Sequence, residues 1–140
     1  MKSKKIKRGI TASTFDLLHA GHVLMLKEAK SVCDYLIVAL QVDPTIDRPH
    51  KNKPIQSYYE RWVQLSAVKY VDEIIPYSDE EELMTILQNY NIDIRILGDE
   101  YEIKPFTGKF LEMKYHFNKR THEYSSTELR KRIKDLESLV

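Results

Sequence analysis

Residues 34–43 read DYLIVALQVD, with an unbroken apolar run from Tyr35 to Leu40. A strand that faces water on one side alternates apolar and polar residues. A continuous run of this length instead suits a strand covered on both faces, as in the interior of a parallel sheet. Parallel strands need long crossover connections, and the flanking sequence supplies them. On the N-terminal side, IKRGITAS (6–13) reads as a short strand. HVLMLKEAKSVC (22–33) then repeats Val23, Leu26, Ala29 and Cys33 at three- and four-residue steps, the spacing of an amphipathic helix. On the C-terminal side, PTIDRPHKNKPIQ (44–56) carries three prolines and reads as a loop. SYYERWVQLSAVKYV (57–71) opens a helix with Ser57 as N-cap and Glu60 three residues on, a capping box.

The alternation continues to the end of the chain. DEIIPY (72–77) reads as a strand, and DEEELMTILQNYN (79–91) as a helix whose acidic first turn suits the helix dipole. IDIRILGDE (92–100) is a strand ending at Gly98, MKYHF (113–117) a short strand, and SSTELRKRIKDLESL (125–139) a closing helix capped by Ser125 or Ser126. The rest of 102–119 is ambiguous. The pattern predicts one α/β domain over residues 1–140, doubly wound and Rossmann-like, with a parallel sheet flanked by helices. The ligand crevice of such a sheet lies beyond the carboxyl ends of its strands. Three polar loops are expected there: STFDLLHAGH (13–22), VDPTIDRPHKNK (42–53) and GDEYE (98–102).

Composition narrows the partners. A chain of 140 residues, 42% hydrophobic, can bury one compact core. Twenty-two basic and 21 acidic side chains leave a net charge of +1, so no global field calls for nucleic acid or an anionic membrane. No segment approaches the roughly 20 apolar residues of a membrane span. The basic lead MKSKKIKRGITAS (1–13) has no apolar run behind it, so a soluble, cytoplasmic protein is expected. The single Cys33 cannot form an internal disulfide and reads as a small hydrophobe with no chemical role.

Two of the five histidines, His19 and His22, lie on either side of Gly21 where the first helix begins. Free N–H groups and the positive end of the dipole attract phosphate at such a place, and imidazoles there can donate to its oxygens. Gly21 lets a ligand or a neighbouring backbone come close, and Thr14 and Asp16 occupy the turn before it. For an isolated pair, a capping or core His19 with a surface His22 is an equal reading. Zinc is disfavoured because no Cys or acidic partner accompanies the pair at ligand spacing, and no metal site on the protein is expected.

These residues resemble the HxGH nucleotidyltransferases, and within them the small cytidylyltransferases of the glycerol-3-phosphate type. The signature xTFDxxHxGH is matched by Thr14, Phe15, Asp16, His19, Gly21 and His22, and the C-terminal RTxGISTT-like element by RTHEYSST, Arg120 to Thr127. A lysine-bearing loop is represented by Lys51 and Lys53, SYExR by Ser57, Tyr58 and Arg61, and a GD pair by Gly98 and Asp99. Four residues depart from the pattern: Ser13 replaces a Gly, Tyr59 the Glu of SYExR, and Glu123-Tyr124 a Gly-Ile.

The resemblance implies transfer of a cytidylyl group from CTP to a phosphorylated alcohol, glycerol 3-phosphate above others, releasing pyrophosphate by direct in-line attack. The protein's task would then be positioning and charge stabilisation. It implies that His19, His22, Lys51, Lys53 and Arg120 are catalytic. Thr14, Phe15, Asp16, Gly21, Asp99, Thr121, Ser125, Ser126 and Thr127 would hold the nucleotide, and Arg61 the acceptor. Asp16 is expected to fix the turn or orient a histidine rather than act as a base, since the acceptor phosphate needs no deprotonation. Mg2+ is expected with the triphosphate, and a homodimer is implied. The alternatives are a related transferase using ATP or another acceptor (phosphoethanolamine, phosphocholine, a sugar phosphate), and a nucleotide-binding module without turnover.

Overall fold

The computed structural model describes residues 5–139; the first four residues of the basic lead lie outside them. Five strands, β1 (Arg8–Ser13), β2 (Tyr35–Gln41), β3 (Glu73–Tyr77), β4 (Ile94–Gly98) and β5 (Lys114–Asn118), form one sheet in the order β3-β2-β1-β4-β5. Every pairing is parallel. The helices are α1 (Ala20–Ser31), α2 (Tyr58–Ser66), α3 (Glu80–Asn89) and α4 (Ser126–Glu137), with a 3-10 turn at Asp99–Glu102. The chain starts at the centre of the sheet, winds out to β3, returns past β1 to β4, and so opens a crevice between the β1 and β4 loops.

The apolar run in β2 behaves as its sequence requires. Leu36, Val38 and Leu40 join the core beneath α1 and α2, with Leu26, Ala29 and Leu65. Ile37 and Ala39 point the other way, into the core under α3 formed with Leu83, Ile86 and Leu87. Neither face sees water, so from Leu36 to Leu40 every side chain is apolar, and the first buried polar one is Gln41 at the end that meets the crevice. The chain just after α1 packs tightly over β1: a Cβ on Gly9 would fall 2.8 Å from Cys33 Sγ. Cys33 is half-buried, and burial pushes its thiol pKa up, so it fills space. Ser57 caps α2 through the expected box with Glu60, and Ser125 caps α4. α4 buries no residue and lies across the mouth of the crevice, where Ser126 and Arg130 reach back to the first loop.

Candidate active site

The turn from β1 into α1 is bent by two non-glycine residues in the left-handed region, Phe15 at φ 50° and Leu17 at φ 53°. Such residues persist only where the surroundings hold them. Here the Phe15 ring is buried in the core, 5.2 Å from the His22 ring. Phe15 therefore supports a histidine from below, and its side chain belongs to the core rather than to a ligand. Asp16 is buried, and its carboxylate accepts from the amides of Ile55 (2.8 Å) and Gln56 (3.0 Å) and from Arg130 Nη2 (3.2 Å). It fixes the turn.

Arg61 was expected to meet the acceptor. Instead it is 2% exposed, and its guanidinium donates to the carbonyls of Gln56, Thr14, Gln41 and Val42 at 3.2, 2.9, 2.6 and 2.6 Å. Four carbonyls from three segments converge on one planar fork, a geometry that arginine alone provides. Arg61 lies under the crevice as a strap joining the first two loops.

The two histidines form their own capping box. His19 is the N-cap of α1; its Nδ1 accepts from the Gly21 amide (3.0 Å), and His22 Nδ1 accepts from the His19 amide (3.3 Å). Their rings stack with centroids 3.8 Å apart. Since both Nδ1 atoms are acceptors, each neutral ring carries its proton on Nε2. His19 Nε2–H can then donate to Ser126 Oγ (3.3 Å), whose hydroxyl donates to the Asp16 carbonyl (3.3 Å). His22 Nε2–H makes no protein hydrogen bond among the described residues and lines the crevice.

Burial lowers the pKa of His22 to about 3, the neighbouring His19 adds to this, and Asp16 opposes it. His19 is lowered in the same sense by burial, then by His122 and Arg120. Both rings are neutral at neutral pH. Because the folded pKa of His22 lies below its ordinary value of 6.5, its stabilising contribution is complete above that value and is lost as pH falls toward 3. Stability in urea should drop by about 2 kcal/mol from this group between pH 7 and pH 5. A His22→Asn variant should show a correspondingly shallower loss; equal slopes for the two proteins would refute the assignment.

Gly21 is required by the neighbouring loop. A Cβ there would sit 2.9 Å from the Tyr124 carbonyl and 2.9 Å from His19 Cε1. The 120–124 segment that presses on it is self-braced. Arg120 donates to the carbonyls of His122 (3.2 Å) and Tyr124 (3.0 Å), the Tyr124 amide donates to His122 Nδ1 (3.0 Å), and the two rings stack at 4.9 Å. Tyr124 and His122 thus supply by stacking the order that this loop needs without a glycine.

The crevice comprises two cavities that share His22 and Ser126. The first, about 550 Å³, is bounded by α1, the ends of β4 and β5 and the 120–126 loop; it takes in His19, Gly21, Asp99, Arg120, Thr121, Ser125 and Ser126. The second, about 590 Å³, includes Thr14, Asp16 and Lys51. Lys53 and Thr127 are exposed and line neither cavity. Lys53 instead attracts Asp43, whose carboxyl sits below its usual range chiefly through hydrogen bonds from Thr45.

Three cations of the second cavity went unnoticed in the sequence. Arg48 pairs with Glu80 (2.5 Å), Arg130 with Asp16 (3.2 Å), and buried Arg95 binds the Thr107 carbonyl with its guanidinium over the Phe106 ring. With Lys51 they give four cationic side chains against the two carboxylates of Asp16 and Glu80, an anion-receptive lobe. Arg95 could have been found, because a charge in the middle of the apolar strand IDIRIL needs a reason.

Comparison with known proteins follows the same lines. Residues 10–132 match the family model described as cytidylyltransferase-like. The chain belongs to the cytidylyltransferase-like family. Within it, glycerol-3-phosphate cytidylyltransferase of Bacillus subtilis (strain 168) is 36% identical over 135 residues, 94% of this chain and 100% of the relative. The Staphylococcus aureus (strain NCTC 8325 / PS 47) protein described in the same words is 33% identical over 132 residues, 91% of this chain and 96% of the relative. A solved structure described as a lipopolysaccharide core biosynthesis protein from Thermoplasma volcanium GSS1 superposes with a TM-score of 0.59 at 26% identity, covering 95% of this chain and 90% of that one. The fold described above is thus shared with that solved structure over nearly the whole of this chain.

Proposed function

We propose that this member of the cytidylyltransferase-like family transfers a cytidylyl group from CTP to glycerol 3-phosphate, giving CDP-glycerol and pyrophosphate. The observation that carries the reading is the His19–His22 box at the junction of two cavities, one set for a nucleotide and one rich in cations. The nucleotide lies in the first cavity with its α-phosphate at the histidines. Its outer phosphates lie toward Arg120, Ser125, Ser126 and the N-terminus of α4. The acceptor phosphate enters from the second cavity, held by Lys51 and the arginines. It attacks phosphorus directly and needs no base, in keeping with two histidines that are already neutral donors.

Mg2+ would enter with the triphosphate and neutralise charge on its oxygens, and Asp99, which lines the first cavity, is the carboxylate that would hold it. The same reading places the protein in the cytoplasm. It also includes a homodimer through α2, where Tyr59 and Trp62 stack at 6.4 Å beside Val63 with all three rings or side chains exposed. Among the described residues, no helix is long and apolar enough to cross a membrane.

The test is pyrophosphate release from CTP and Mg2+ on adding glycerol 3-phosphate, with the sedimentation of the same sample read alongside. Release with CTP that greatly exceeds release with ATP, from a dimer, is expected. CTP binding without release across a panel of alcohol phosphates would reject the transferase reading.

A further inference from the structure

We propose that Asn118 selects the nucleotide base, its side-chain carbonyl accepting a hydrogen bond from the exocyclic amino group of cytosine. This rests on the reading that the first cavity takes CTP. Asn118 is the last residue of β5, paired in register with Gly98, and lines that cavity where β4 and β5 end. It is 7% exposed, and its Oδ1 is the one buried side-chain nitrogen or oxygen without a hydrogen-bond partner among the described residues. A buried carbonyl oxygen left without a donor is costly, and a native site that keeps one does so for a reason.

The surroundings indicate what would complete it. Ile96, Leu97 and Met25 give the cavity apolar surface suited to a flat ring. On the same wall, Glu28 is already committed: it takes a hydrogen bond with His116 Nε2 (2.6 Å) and accepts from the Lys119 amide (3.1 and 3.2 Å). That anchor holds the chain just after Asn118, so the amide is presented on a fixed backbone. What Oδ1 lacks is an N–H donor. The 4-amino group of cytosine supplies one, whereas the 4-oxo group of uracil would meet Oδ1 lone pair to lone pair and would have to turn the amide over to gain a donor. A site built around a hydrogen bond rejects an analogue that lacks the group far better than an apolar pocket rejects a change in shape.

The experiment is calorimetric titration of the full chain with Mg2+ and CTP, UTP, and the des-amino analogue pyrimidin-2-one riboside triphosphate, for the wild type and for Asn118→Leu. The wild type should bind CTP roughly tenfold or more tightly than the des-amino analogue, and UTP weakest. In Asn118→Leu the ratio of CTP to des-amino analogue should fall to about one while binding of the analogue itself is retained. A purely structural role would weaken all three nucleotides together and leave the ratio unchanged, which overturns the proposal, as does a wild-type preference for UTP. Asn118→Ala, which adds no bulk, carries the same comparison if the leucine variant does not fold. Absence of CTP binding by the wild type would overturn the functional reading and this inference with it, whereas CTP binding with an unaltered ratio overturns only the inference.

Discussion

Exchange of Arg61 for methionine should lower the melting temperature by roughly 10–20 °C, the consequence of losing about 3–5 kcal/mol of stability. Methionine fills much of the space of the arginine stem but donates nothing. The carbonyls of Thr14, Gln41, Val42 and Gln56 then lose their common donor in a region closed to water. Burial pulls the Arg61 pKa down, while Asp16, Tyr58 and Asp43 oppose that pull, so the guanidinium remains the charged partner of this group. Arg61→Lys keeps the charge yet cannot reach four acceptors with one ammonium, so it should recover only a minor part of the loss. Thermal unfolding followed by circular dichroism measures this. If Arg61→Met melts within a few degrees of the wild type and instead raises KM for the acceptor alone, the strap assignment fails and an acceptor-binding role returns.

The contrast between Arg61 and the β2 run shows what the sequence made legible. The fold followed from local patterns. An unbroken apolar strand, helical spacing in α1, an acidic first turn in α3, and capping residues at Ser57 and Ser125 each constrain only neighbours in the chain, and their alternation implies a parallel sheet, whose strand order is given by the structure. The histidine pair stood out for the same reason, His19 and His22 lying within one helix turn, but their reciprocal capping bonds appear only in the structure. Arg61 was not, because its partners lie 5 to 47 residues away and are backbone carbonyls with no residue identity to recognise. The cations of the second cavity were hidden likewise. Arg48, Arg95 and Arg130 come from a loop, a strand and a helix, and only the folded chain brings them together. Lys53 and Thr127 illustrate the converse: their positions match a motif, but their side chains line neither cavity.

His22→Ala should reduce kcat by roughly 10²–10³, the loss typical of one preorganised donor at a site of developing charge. The ring is fixed on three sides, by Phe15 beneath it, His19 stacked on it and the His19 amide on Nδ1, so Nε2–H is aimed before any ligand arrives. Preorganisation of this kind is what makes a neutral donor effective, because no reorientation is needed as charge moves from the α-phosphorus to the leaving pyrophosphate. His22→Gln, whose side-chain amide can place an N–H near the Nε2 position, should retain more activity than His22→Ala, and His22→Phe should retain none beyond it. His19→Ala should differ in kind: it removes both the N-cap of α1 and the link to Ser126, so a stability loss of about 1 kcal/mol should accompany the loss of turnover. Single-turnover rates with CTP and glycerol 3-phosphate, measured beside urea unfolding, separate the two effects. Equal rates for the glutamine and alanine variants would show that His22 contributes shape alone, and the charge-stabilising role would then fall to Lys51 and Arg120.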